Sequence, residues 1–128
     1  MAVIKRIAAV ATSVAVFAGT ALTLAPSASA TSYNGCDYPR VCFYQTQPDW
    51  TIGMPDAAYQ DVTTSYQNLS SRAYGADWVY NSRNDDRAML RFTNGGSTYY
   101  KCLPPNGTIQ FSPASTVTGI RIDTASAC

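Results

Sequence analysis

Four cysteines and eight aspartates carry most of the reactive chemistry in this chain, and it has no histidine. Without histidine there is no Ser-His-Asp or Cys-His nucleophile and no imidazole-ligated metal. No Cys-x-x-Cys spacing occurs, so the cysteines do not read as a zinc site. No glycine-rich loop of phosphate-binding spacing follows a strand and opens a helix, which leaves nucleotide binding unsupported. Asp85-Asp86, flanked by Arg83 and Arg87, has two readings: an acid/base pair, or a solvated turn with local ion pairs. The turn is the plainer one, because adjacent carboxylates point apart. Asp61, Thr64 and Ser65 offer oxygen ligands at a spacing that suggests calcium, but the preceding Gln60 is a poor substitute for an acidic ligand. The alternative is a polar lead-in to a strand. The residues thus specify no catalytic set and call for no cofactor, and a non-enzymatic protein is expected.

The cysteines read best as cross-links. Four allow three pairings. Cys36 and Cys42 are close enough to close a tight local loop around Tyr38-Pro39, and Cys102 with Cys128 would tie the last residue to a late strand. Two disulfides suit an exported protein. The N-terminus agrees: Lys5 and Arg6 precede an uncharged apolar run, Ile7 to Leu24, and Ala28-Ser29-Ala30 has the small-residue pattern of a cleavage site. Residues 1–30 are therefore expected to be a cleaved signal peptide and residues 31–128 a single secreted domain. A membrane anchor is the rival reading of the apolar run.

Removing Lys5 and Arg6 leaves seven basic residues against eight aspartates. A near-neutral domain with one lysine, no glutamate and no basic block argues against nucleic acid as a partner. Ser, Thr, Asn and Tyr supply the surface, as in a turn-rich β-protein.

The elements follow from alternation and turn chemistry. Val41–Gln45 has strand character and Pro48-Asp49 ends it. Trp50-Thr51-Ile52 reads as a short strand, Met54–Gln60 as a loop or single helical turn, and Val62–Tyr66 as extended. Gln67–Ser71 and Tyr74-Gly75 read as turns. In Asp77–Asn81, Trp78 and Tyr80 share one face and Val79 takes the other. Ala88–Phe92 turns Leu90 and Phe92 inward and Arg91 outward. Asn94-Gly95 is the residue pair of a type I′ hairpin, which predicts that Leu90 faces Tyr99 and Arg91 faces Thr98. Thr98–Leu103 is the return strand, Pro104–Gly107 a turn and Thr108–Phe111 a strand. In Val117–Ile122, Ile120 and Ile122 face inward. Seven or eight short strands without a helical period predict an antiparallel sandwich. The segments before and after Gly75 are candidates for two related halves, but no sequence repeat supports that division.

Three short patterns occur in order: Cys36-x5-Cys42-Phe43-Tyr44, Trp78-Val79-Tyr80-Asn81, and Cys102-Leu103-Pro104-Pro105-Asn106-Gly107. In these the chain resembles the secreted actinobacterial peptidase-inhibitor family, whose best-known member blocks thermolysin-like metalloproteinases. The resemblance implies an all-β, single-domain, Greek-key sandwich like one βγ-crystallin domain, with a short N-terminal disulfide. It also implies a monomeric, extracellular inhibitor whose partner is a protease. The chain departs from that family in lacking a second short disulfide loop in its later half. The calcium pattern of βγ-crystallins is met only in part, at Gln60–Ser65. The segment Tyr99, Tyr100, Lys101, Leu103, Pro104 and Pro105, anchored by Cys102 and stiffened by its prolines, is the expected inhibitory loop. The alternatives are a non-catalytic module for carbohydrate or cell surface, and a calcium-stabilised structural protein. A contiguous exposed row of Tyr and Trp would favour the carbohydrate module.

Overall fold

A computed structural model describes residues 32–128. The expected signal segment and the cleavage point before Thr31 lie outside the described residues. The chain forms β1 (Val41–Tyr44), α1 (Gln47–Ile52), β2 (Ala57–Tyr59), β3 (Gln67–Asn68), β4 (Trp78–Asn81), β5 (Arg87–Asn94), β6 (Ser97–Leu103), β7 (Thr108–Gln110) and β8 (Ser115–Asp123). Two four-stranded antiparallel sheets result, ordered β2-β1-β4-β7 and β3-β8-β5-β6. The expected all-β sandwich is therefore present, and so are both favoured disulfides, Cys36–Cys42 and Cys102–Cys128.

The strand orders contain an internal symmetry. β1, β2 and β4 lie together in the first sheet, and their third member, β3, crosses to the second. β5, β6 and β8 lie together in the second sheet, and β7 crosses to the first. The division falls between β4 and β5, after Asn81, and not at Gly75. Packing follows the alternation. Val41, Phe43 and Val79 meet Leu90, Leu103, Val117, Ile120 and Ile122 between the sheets. Trp78 and Tyr80 turn away from that core, as their spacing predicts, and join Tyr44, Cys36, Cys42 and Trp50 in a second cluster. All of β1 is buried because both its faces are covered.

That second cluster explains the first correction. Trp50-Thr51-Ile52 is the last turn of α1, not a strand. Thr46 caps the helix by accepting from the Asp49 N–H, Pro48 lies in its first turn, and Gly53 ends it in the left-handed region. Trp50 then stacks on Trp78 at 4.6 Å between ring centres, which fixes the helix to the sheet. Met54–Gln60 reads in the sequence as a loop or single helical turn, yet Ala57–Tyr59 is β2, bonded beside β1 with Val41 opposite Tyr59. Val62–Tyr66 is not a strand. Only Val62 forms an isolated bridge, to Ile122, and the strand lies one step later at Gln67-Asn68, expected as a turn. In both places ladder pairing with a neighbouring strand decides the conformation over local propensity.

Asp85-Asp86 also differs from the expected solvated turn. Asp86 is buried and paired with the buried Arg83, whose Nη1 also donates to the Pro39 and Gln60 carbonyls at 2.8 and 3.2 Å. Asp86 is thereby committed to a structural ion pair, and the acid/base reading of the two carboxylates loses one member. Arg87 pairs with Asp123 instead, at 2.9 Å.

Candidate functional site

β5 and β6 form a hairpin whose two-residue loop is Gly95-Gly96, both with positive φ. Asn94, expected inside the turn, is the last ladder residue. It pairs with Ser97 and donates its Nδ2 to Ser115 Oγ at 3.0 Å. Two glycines hold the left-handed positions without a Cβ conflict, so the loop moves one residue along. Leu90 consequently faces Lys101, and Arg91 faces Tyr100. The shift of two positions in partner leaves every side chain on its expected face.

Among the described residues, β6 is the outermost strand of the second sheet, paired on one side only. Its side chains are exposed from Ser97 through Lys101, with Tyr99 49% and Tyr100 58% exposed. The two tyrosines point to opposite faces. Tyr99 stacks on Phe92 with ring centres 5.6 Å apart, and Tyr100 leans on Tyr66 at 5.3 Å. Lys101 sits opposite the buried Leu90 at the sandwich margin. A charge in that position also discourages unspecific edge-to-edge pairing.

The far end of β6 is pinned twice. Cys102 is bonded to Cys128, with Cα atoms 5.8 Å apart. Just beyond it, the buried Asn81 donates through Nδ2 to the carbonyls of Asp86, Leu103 and Pro104 at 3.0, 3.3 and 3.3 Å, and accepts from the Arg83 N–H at 3.0 Å. The Pro104–Gly107 turn closes with Gly107 N donating to Pro104 O at 2.9 Å, while Asn106 N donates to Arg83 O at 3.1 Å. In the loop-entropy picture the two disulfides contribute about 2.5 and about 3.5 kcal/mol.

The structure divides the expected inhibitory segment. Tyr99, Tyr100, Lys101 and Pro104 are exposed and Pro105 is half-buried, whereas Leu103 is 2% exposed and belongs to the inter-sheet core. Leu103 therefore supports the segment from beneath and makes no surface for a partner. The calcium candidates lie at the surface. Asp61, Thr64 and Ser65 are all exposed, and among the described residues there is no group of three or more acidic or cysteine side chains that could hold a metal ion. Tyr33, Trp50 and Trp78 do form a contiguous aromatic run, but both tryptophans are half-buried and one face of each is spent on the other in docking α1.

Sequence reasoning missed two residues. Asn81 supports the turn after β6, and Gly119 lies under Arg91, where an added Cβ would meet the guanidinium at 2.6 Å. A polar residue ending the apolar Trp78–Tyr80 run, and a glycine inside a β-branched strand, are the signals that could have found them.

Four groups titrate away from their ordinary values: Tyr44, Tyr80 and Arg87 upward and Asp123 downward. The hydrogen bond from Arg87 holds the Asp123 carboxyl below the usual carboxylate range, assisted by the Ala125 N–H and by the charges of Arg87 and Arg121, and opposed by burial. Burial, reinforced by Tyr80 and Tyr33, pushes the Tyr44 hydroxyl upward, and that hydroxyl donates to the Asn34 carbonyl at 2.7 Å.

Two disulfides fit an oxidising, extracellular setting, and among the described residues no helix is long and apolar enough to cross a membrane. No protein-family model, curated protein or solved structure matches the chain.

Proposed function

We propose that this chain is a secreted inhibitor of extracellular peptidases, of the metalloproteinase-inhibitor type, that offers the free edge of β6 and the following Pro104-Pro105 turn to the protease cleft. The observation that carries the reading is a seven-residue edge strand, exposed along most of its length and fixed at its end by Cys102–Cys128 and by Asn81. An extended segment held in advance loses little entropy on docking, and strand addition supplies main-chain hydrogen bonds. Tyr99 and Lys101 flank that edge on one face and Tyr100 on the other, which gives it side-chain selectivity. The exchange of third strands between the sheets is the pattern two Greek keys would produce, which supports the βγ-crystallin-like side of the resemblance. The absent second short disulfide loop is replaced in this proposal by the longer Cys102–Cys128 link.

Competition with a labelled substrate tests the contact residues. Lys101→Asp and Tyr99→Ala, checked for an unchanged melting temperature, are expected to weaken inhibition of a thermolysin-like enzyme by at least about tenfold each. Arg40→Gln, at an exposed residue just before β1 and outside β6, is expected to leave it unchanged. Equal inhibition by all three variants would remove β6 as the docking edge.

A further inference from the structure

Charge is divided along the chain. Residues 32–86 carry three basic and seven acidic side chains, and residues 87–128 carry four basic and one acidic. Three of those four bases, Arg87, Arg91 and Arg121, stand on the outward face of the second sheet, where the register sets Arg87 beside Asp123, Arg121 beside Met89, and Arg91 beside Tyr100.

The arginines there are seated with care. The Arg91 guanidinium rests on Gly119, with Nε donating to Thr118 Oγ1 at 3.0 Å and Nη2 donating to Asn68 Oδ1 and the Thr118 carbonyl at 2.6 and 3.1 Å. Arg121 is steadied by Asp123 at 3.0 Å. Tyr66, just before β3 at one edge, and Tyr100, on β6 at the other, lean together over the sheet. The guanidinium carbons of Arg91 and Arg121 lie 5.8 and 5.5 Å from the centre of the Tyr66 ring. Among the described residues, Nη1 of Arg91 and Nε and Nη2 of Arg121 have no partner, so donors remain on two fixed guanidinium groups.

We propose that this face binds a carboxylated polysaccharide, a chain of uronate residues. Arg121 and Arg91 would fork its carboxylates, and the exposed Tyr100 ring, beside Arg91 on the next strand, would carry a sugar ring. Charge complementarity selects an anionic occupant. The arginines and Tyr100 stand on a sheet surface, which favours flat sugar rings over an acidic peptide. The site uses the face of the sheet, not the β6 edge, so it stands apart from the inhibitor reading and shares only Tyr100 with it.

The test is calorimetric titration of the oxidised protein with polygalacturonate, with neutral dextran and poly-glutamate as comparisons. Binding to polygalacturonate is expected, weakening as salt rises from about 20 to about 200 mM. Arg121→Gln is expected to cost about tenfold or more in affinity. Tyr100→Ala is expected to weaken binding measurably, and Arg40→Gln, just before β1, to leave it unchanged. Arg121→Gln should retain protease inhibition, which separates the two proposals. No binding to polygalacturonate, equal binding of dextran, equal loss in Arg40→Gln, or poly-glutamate bound as tightly would each overturn the assignment.

Discussion

Gly119→Ala tests whether the Arg91 seat is a built feature of the second sheet. The new Cβ would lie 2.6 Å from Arg91 Nη2, 2.7 Å from Cζ and 3.0 Å from Nε, so the guanidinium has to lift. Lifting gives up three hydrogen bonds, to Thr118 Oγ1, Thr118 O and Asn68 Oδ1. At about 0.5–1 kcal/mol for each such half-exposed bond the loss is about 2 kcal/mol. Replacing a strand glycine returns about 0.5–1 kcal/mol through lower unfolded-chain entropy. The net is a destabilisation of about 1–1.5 kcal/mol, or about 5–10 °C in melting temperature for a domain of this size. Thermal unfolding followed by circular dichroism measures it. The decisive arm is the double-mutant cycle: in an Arg91→Ala background the same change is expected to be neutral or stabilising. An equal loss in both backgrounds would refute the reasoning, because the strand and not the guanidinium would then be what requires glycine.

Leu103→Ala is expected to cost about 2–4 kcal/mol in denaturant unfolding by opening a cavity between the sheets, and Leu103→Asp to prevent folding; a tolerated aspartate would contradict the burial at that position. Asp123 is more acidic in the folded chain than in the unfolded one, so its contribution is present above about pH 4 and lost as pH falls through the lowered folded value. Asp123→Asn should therefore flatten the acid side of a plot of melting temperature against pH, and a parallel acid limb would contradict this. Tyr44 shifts the opposite way, so its contribution holds up to about pH 10 and declines at higher pH; Tyr44→Phe should reduce that alkaline loss. Millimolar calcium is expected to leave the melting temperature unchanged, since Asp61 is the one carboxylate in Gln60–Ser65 and lies exposed with Thr64 and Ser65; a rise of several degrees would show otherwise.

The sandwich, both disulfides and the long strands of the second sheet were legible because alternation is strongest where one face is buried. Ile120 and Ile122 against Arg121, and Val79 against Trp78 and Tyr80, came out on the expected faces. Short elements were not legible. α1 has only six residues, and its Thr46, Pro48 and Gly53 signals lie around a Trp-Thr-Ile run that by composition suits a strand. β2 and β3 exist through their ladders with β1 and β8, and such pairing leaves little trace in a three- or two-residue segment. The exchanged third strands, β3 and β7, are the shortest members of their halves, which is why the internal symmetry showed no sequence repeat. Of the candidate segment, exposure of one of the adjacent tyrosines followed from strand geometry. The burial of Leu103 did not, because it depends on which sheet covers the end of β6.

Stoichiometric titration of a thermolysin-like metalloproteinase with the oxidised protein tests edge docking most directly, with a serine protease run alongside. Tight, roughly one-to-one loss of metalloproteinase activity that is weakened by Lys101→Asp is the predicted result. Full activity of both enzymes in the presence of excess protein, with both disulfides verified, would contradict it.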